Sequence, residues 1–344
     1  MAAGPRCDRR VTLRKRINLA LQGGGAHGAF TWGVLDRILD ETDLEIAAIS
    51  GTSAGALNGA AFKAGLLENG RDGARENLNW LWANMGAIQD ARMPEWMTGP
   101  LSQALEQSIP FAMADTMSRL VSPYAYGPLY TNPLRRVVEK FSYDRVCAEQ
   151  GPKLSVGATN VHTGKIRVFS GQGISTESLL ASTCLPTMFQ AVEIDGDHYW
   201  DGGYTGNPAL FPLFGNDLPP DIMVVNINPL ERYEVPRSPQ AIQNRINEIS
   251  FNSSLLRELR AIHFVQRLLN DGTVPEGAMK RVYVHMIAND DLMRDLSVAT
   301  KLLPVPQLLS RLKDAGRKAA DQFLKDHWSD IGERSTVDMQ EMFG

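Results

Sequence analysis

One serine stands midway between two glycines in the pentapeptide Gly51-Thr52-Ser53-Ala54-Gly55. An apolar run over 46–50 precedes it and reads as a buried strand. Small residues over 54–64 follow it and read as a helix that ends at a Gly65 C-cap. A serine on so sharp a strand-to-helix turn is held with its oxygen exposed, and the glycines let neighbouring backbone pass close by. The helix N-terminus behind it puts partial positive charge where a tetrahedral oxyanion would form. Gly-x-Ser-x-Gly in this setting points to a nucleophile in acyl transfer.

A second strand-to-helix turn carries Gly23, Gly24, Gly25, Ala26, His27 and Gly28. Consecutive glycines let several backbone N–H groups converge on one anion. Gly23, Gly25 and Gly28 also fit the dinucleotide fingerprint Gly-x-Gly-x-x-Gly. That fold wants an acidic residue about twenty positions on to hold the ribose, and Ser50 and Gly51 stand there instead. The run is therefore read as an oxyanion hole beside Ser53. The serine needs a base, for which the sequence offers the histidines at 27, 162, 198, 263, 285 and 327, or a carboxylate at a strand end. Asp201, followed by Gly202 and Gly203, closes an apolar segment, and burial there would raise its pKa toward the useful range. A plain turn is the competing reading of Asp-Gly-Gly.

The elements that must position these groups follow from periodicity. Strands are expected at 17–21, 46–50, 154–160, 166–170, 192–194, 198–200, 221–228 and 281–287. The strand, helix, strand, helix order at the start argues for an α/β fold on a mainly parallel sheet. Ile242, Ile246, Ile249, Leu256, Leu259, His263, Leu268 and Leu269 trace a long amphipathic helix over 239–270, stopped by Gly272, and a last helix is expected over 307–325. Five of the thirteen methionines, Met85, Met93, Met97, Met113 and Met117, fall in a stretch rich in aromatics over 77–130. That stretch has two readings, a lid or acyl-chain groove, and a packed helical insertion. Asp195 with Asp197, and Asp290 with Asp291, are read as turn residues rather than metal ligands.

Composition sets the outer bounds. The chain has 344 residues, 35 basic and 39 acidic, for a formal charge of −4, and is 43% hydrophobic. It contains no apolar run of the roughly 18–20 residues that a spanning helix needs. Net acidity and the lack of a basic-aromatic pattern argue against nucleic acid. Cys7, Cys147 and Cys184 are odd in number and widely spaced, which favours a reducing, cytoplasmic setting. Arg6, Arg9, Arg10, Arg14, Lys15 and Arg16 face one acid, Asp8, in a basic arm over 1–16. The arm reads as a solvated tail or as a peripheral contact with anionic lipid on the inner membrane face, where each cation contributes about 1 kcal/mol.

Taken together, the glycine run, the serine elbow and Asp-Gly-Gly resemble the patatin-like phospholipase family. Ala181, Ser182, Thr183, Cys184, Leu185, Pro186 and Phe189 look like that family's approach to Asp-Gly-Gly. The resemblance covers about 17–230. Beyond that the family pattern is silent, and the residues themselves lead to the expectation of a helical extension with one further strand over 231–328, packed on the same domain, and a loosely held tail over 329–344. The resemblance implies a three-layer α/β/α fold. It also implies a Ser–Asp dyad, with Ser53 as nucleophile and Asp201 as general base, that needs no cofactor and no metal. Gly23, Gly24, Gly25 and Ala54 would form the oxyanion hole, and Gly28, Gly51, Gly55, Gly202 and Gly203 would shape the turns. Phospholipids or other lipid esters are the implied substrates. An intracellular polyester such as polyhydroxyalkanoate, or a weakly active regulatory or membrane-binding protein, is the alternative. The chain departs from the family pattern at Gln22, His27 and Gln190, which leaves the bracing of the glycine loop open. In a His-dependent hydrolase, the rival enzyme reading, His285 would be the base.

Overall fold

The computed structural model describes residues 14–87, 122–275, 277–296, 298–302 and 304–343. The strands are β1 (Lys15–Leu21), β2 (Leu44–Thr52), β3 (Lys153–Asn160), β4 (Ile166–Ser170), β5 (Val192–Ile194), β6 (Asp197–Asp201), β7 (Asp221–Val225) and β8 (Tyr283–Ile287). The principal helices are α1 (Gly28–Ile38), α2 (Ala54–Ala87), α3 (Thr176–Ser182), α4 (Pro239–Asn270), α5 (Asp290–Asp295), α6 (Val298–Leu302), α7 (Pro306–His327) and α8 (Met339–Phe343). They surround one mixed sheet. Strands β3, β2, β1, β7 and β8 are parallel neighbours in that order, while β4, β5 and β6 add antiparallel pairs beyond β2.

Strand periodicity sorts the core into two halves. Leu19, Leu21, Met223 and Val225 face α1, α2 and α7. Ala20, Ile222, Val224 and Val284 face Leu255, Leu259 and Ile262 of α4. The result is the expected three-layer α/β/α arrangement with a mainly parallel sheet. The crossing of α1 and α7 is close enough that a Cβ on Gly33 would run into the Lys313 carbonyl and one on Gly316 into the Phe30 carbonyl. Asp36, buried at that crossing, is paired with Arg75 and Arg317.

Four expectations need correction. Gly65 does not end its helix: α2 runs on to Ala87, and its kink lies at Asn69 and Gly70, where Gly70 has φ 59°. Gly65 instead lies against Gly73, whose carbonyl occupies the space a Cβ would need, so small size and not a cap is what the position requires. On α4, Ile242, Ile246 and Ile249 turn outward and are 42%, 52% and 54% exposed. The inward face of that half carries Glu248, Asn252 and Ser254, whose polar groups are satisfied at the carboxyl end of the sheet. The tail after 328 is anchored: Ile331 and Met339 are buried, the Gly332 N–H donates to Asp221 Oδ1 at 2.7 Å, and the Thr336 N–H donates to the Val284 carbonyl. Lys15 and Arg16, expected in the basic arm, belong to β1, and Arg16 pairs with Glu45 at 2.9 Å.

Residues 1–13 and most of the Met-rich stretch, with Met93, Met97, Met113 and Met117, lie outside the described residues. The end of that stretch is held down. Tyr130 Oη accepts from the Gln190 N–H at 3.3 Å, Tyr124 Oη accepts from the Ala191 N–H at 3.0 Å, and Gln190 Nε2 donates to the Pro123 carbonyl at 3.1 Å.

Candidate active site

Ser53 is one of two non-glycine residues with positive φ among those described, at 54°. Such a backbone costs of order 1–3 kcal/mol and persists only where its surroundings impose it. Here they do so through small residues. A Cβ on Gly51 would meet the Gly55 backbone at 2.7 Å, and one on Gly55 would run into the Leu21 carbonyl. Side-chain bonds fasten the strand end on either side. Ser50 Oγ donates to the Ala209 carbonyl and Thr52 Oγ1 to the Gly206 carbonyl, each at 2.6 Å, and the Ser53 N–H donates to Ser182 Oγ at 2.9 Å.

The sheet brings Asp201 to Ser53. Along one edge β3 pairs with β4 from Ser155 to Thr159. Its other edge pairs with β2 as far as Gly157, opposite Thr52, and then with β6 from Ala158, opposite Asp201. One lane of the sheet is thus filled by β2 up to the serine elbow and by the oncoming end of β6 beyond it, so Ser53 and Asp201 meet head to head. Gly202 allows this junction, since a Cβ there would run into the Gly157 carbonyl.

Asp201 is 2% exposed and Ser53 8%. Burial pushes the Asp201 carboxyl up to about 6, against the opposing influence of hydrogen bonds from the Gly203 N–H and the Ser53 hydroxyl. The Gly203 bond measures 2.7 Å. The backbone of Asp201 is held as well, its N–H donating to the Cys184 carbonyl at 2.7 Å and its carbonyl accepting from Thr159 Oγ1 at 2.8 Å. A carboxylate so restrained, and ionised only above about pH 6, is suited to take the proton of a nucleophile near neutrality.

The glycine run lies directly against the elbow. A Cβ on Gly23 would stand 2.7 Å from Ser53 Cβ. The Gly23 N–H is already used, donating to Asn207 Oδ1 at 2.6 Å, so Gly23 is removed from the expected set of anion donors. Among the described residues no acceptor is bonded to the N–H groups of Gly24, Gly25 or Ala54, which open two helical turns. Gly28 lets the two turns approach, its missing Cβ leaving room for Ala54 and Trp82. His27 is buried, and its Nε2 lies 2.8 Å from Thr300 Oγ1. Burial, with the nearby Lys301 charge, keeps its pKa well below the ordinary histidine value, so the ring is neutral.

His285 is not brought to the serine. Its ring nitrogens are engaged by Asp221 Oδ1 at 2.9 Å and Thr336 Oγ1 at 3.2 Å, on a strand three places from β2. Sequence reasoning missed Ser182, Asn207, Asn228 and Thr159, all of which hold the turns. Ser182 lay within the segment singled out by resemblance; polar residues that bond backbone from a distant loop leave no periodic or motif signal.

The family model described as patatin-like phospholipase matches residues 19–214. A search of curated protein sequences finds no significant match. Among solved structures, VipD from Legionella pneumophila is similar at 17% identity and a TM-score of 0.40, over 91% of this chain and 67% of that one. The heterodimeric ExoU-SpcU complex of the Pseudomonas aeruginosa type III secretion system gives 18% identity and a TM-score of 0.31, over 95% of this chain and 65% of that one. Residues 19–214 make up more than half of the 344 residues, and on that match the chain belongs to the patatin-like phospholipase family.

Proposed function

We propose that the protein is a serine acyl hydrolase that cleaves carboxylic esters of lipids, with Ser53 as nucleophile and Asp201 as general base. The observation that carries this reading is the hydrogen bond between the strained Ser53 and a buried carboxylate whose pKa is raised to about 6. As the Ser53 hydroxyl attacks the ester carbonyl its proton passes to Asp201, and the tetrahedral oxyanion takes hydrogen bonds from the Gly24, Gly25 and Ala54 N–H groups. Collapse expels the alcohol, which leaves with the proton held by Asp201. Water, deprotonated in turn by Asp201, then attacks the acyl group on Ser53; the acid departs and the proton returns to the serine.

The outward face of α4 supports a lipid as the source of the ester. Ile242, Ile246 and Ile249 are exposed on it, and Arg257, Arg260 and Arg267 continue the same face with no carboxylate paired to them among the described residues. The two acids of that helix turn away from this face. Glu248 is buried against Arg232, and Glu258 accepts from the Leu210 and Phe211 N–H groups. Phe251, on the other side of α4, packs on Tyr204 beside the Asp201 turn, so this helix links the lipid-facing surface with the dyad.

Hydrolysis of p-nitrophenyl esters of increasing acyl length tests the reading. Turnover is expected to favour medium to long chains and to disappear in both Ser53→Ala and Asp201→Asn. Undiminished turnover in Ser53→Ala would overturn it.

A further inference from the structure

We infer that Lys301, outside the stretch matched by the family model, is a positioning residue for the oxyanion loop, acting through Asn228 on the peptide that joins Gly23 to Gly24. The inference rests on the proposed Ser53–Asp201 reaction and adds a group that the sequence motifs do not contain.

The chain of contacts is continuous. Lys301 Nζ donates to Asn228 Oδ1 at 2.8 Å, and Asn228 Nδ2 donates to the Gly23 carbonyl at 2.9 Å. That carbonyl shares its peptide plane with the Gly24 N–H, which has no partner among the described residues. A hydrogen bond accepted by the oxygen of a peptide polarises the unit and strengthens its N–H as a donor, more so when a cation stands at the far end. The same bond fixes the orientation of the plane, and with it the direction of the Gly24 N–H. Asn207 Nδ2 approaches the same carbonyl at 3.4 Å, while Asn207 Oδ1 holds the Gly23 N–H.

Asn228 is itself fixed. Gln22 Oε1 accepts from the Asn228 and Ile227 N–H groups and from Asn228 Nδ2, and Asn252 Nδ2 donates to the Asn228 carbonyl at 3.3 Å. Gln22, one of the departures from the family pattern, is therefore the residue that ties the loop to this amide network. Lys301 also contacts the loop through its backbone, since a Cβ on Gly25 would run into the Lys301 carbonyl.

The charge of Lys301 is conditional. Burial lowers its pKa to about 8, with Glu248 of α4 raising it and Arg232 of the β7–α4 connection lowering it. The remaining titratable group that faces it is His27, from the glycine turn, which is neutral. Below about pH 8 the relay ends in a cation, and above it in a neutral amine. Activity is therefore expected to rise through about pH 6 as Asp201 ionises and to fall beyond about pH 8 as Lys301 loses its proton.

The test is kcat and KM for p-nitrophenyl butyrate across pH 5 to 10, for the wild type, Lys301→Met, Lys301→Arg, Asn228→Asp and Ser53→Ala. Weakening one oxyanion donor should cost less than the roughly hundredfold typical of deleting one, so Lys301→Met is expected to lose about tenfold in kcat with KM little changed. It should also lose the alkaline limb. Lys301→Arg should keep most of the activity and stay active to higher pH, since a guanidinium does not titrate there. Asn228→Asp has the same shape but no donor for the Gly23 carbonyl, and should reproduce the loss even if Lys301→Met proves too unstable to assay. Ser53-dependent turnover with kcat and alkaline limb unmoved in Lys301→Met and Asn228→Asp would overturn the relay alone. Turnover that survives Ser53→Ala would overturn the catalytic reading beneath it.

Discussion

Asp201, the base in the proposed reaction, shows at the scale of one residue how burial raises a carboxyl pKa at the expense of the fold. Its carboxyl is raised to about 6 by burial, so the folded protein binds that proton more tightly than the unfolded chain, whose aspartates titrate near 3.9. Above about pH 6 the buried charge is a net cost, and the cost is absent below about pH 4, where the group is protonated in both states. Asp201→Asn is accordingly expected to abolish ester hydrolysis while raising stability at pH 7 by about 3 kcal/mol. Thermal melts at pH 7 and pH 4 check this: the gain should shrink toward zero at the lower pH, and an equal gain at both would refute the burial account.

At the scale of the element, the glycines divide by the physical demand they meet. Gly65 is small because its helix half packs on Gly73, whereas Gly70 supplies the positive φ of the kink and has open space around its Cβ position. The sequence made Gly65 look like the stop because apolar periodicity weakens after it, yet the helix continues. Substitution separates the two demands. Gly65→Ala forces the halves of α2 apart and is expected to cost about 2–3 kcal/mol, as overpacking does, while Gly70→Ala meets no neighbour and should cost about 1–3 kcal/mol for a backbone, φ 59° and ψ −142°, that glycine alone adopts readily. Urea unfolding of the two variants checks this; a Gly65→Ala variant as stable as the wild type would contradict the assignment of Gly65 to packing.

At the scale of the whole molecule, the proposed Ser53–Asp201 dyad is joined to a surface. Its formal charge is −4, yet the exposed face of α4 carries three isoleucines and three arginines and no carboxylate. No helix among the described residues is long and apolar enough to cross a membrane; the lipid contact proposed for this face is tested at its isoleucines and arginines. Ile246→Asp with Ile249→Asp is expected to reduce binding to vesicles of phosphatidylcholine and phosphatidylserine at least tenfold and to leave p-nitrophenyl butyrate hydrolysis within about twofold. Co-sedimentation that is unchanged in the double variant would remove α4 from the lipid contact. Arg257→Glu with Arg260→Glu should weaken binding chiefly where the anionic lipid is present, because each surface cation contributes about 1 kcal/mol there.

What the sequence determined by itself was local. The two strand-to-helix turns, the serine elbow, the Asp-Gly-Gly turn, every strand of the sheet and the full span of α4 were legible, because apolar periodicity and glycine placement are properties of neighbours in the chain. The tertiary structure decided which groups are free to act. Gly23 resembles its neighbours in the run, but Asn207 consumes its N–H from 184 positions away. Ile242, Ile246 and Ile249 fit a buried stripe as well as an exposed one until the polar inward face of α4 has found its partners at the sheet. The tail after 328 reads as loose until Asp221 and Val284 receive its backbone N–H groups. Lys301 has no motif around it and acquires a role only through Asn228. Burial and hydrogen-bond partners belong to pairs of residues far apart in sequence, and only closure of the fold settles which members of a pair meet.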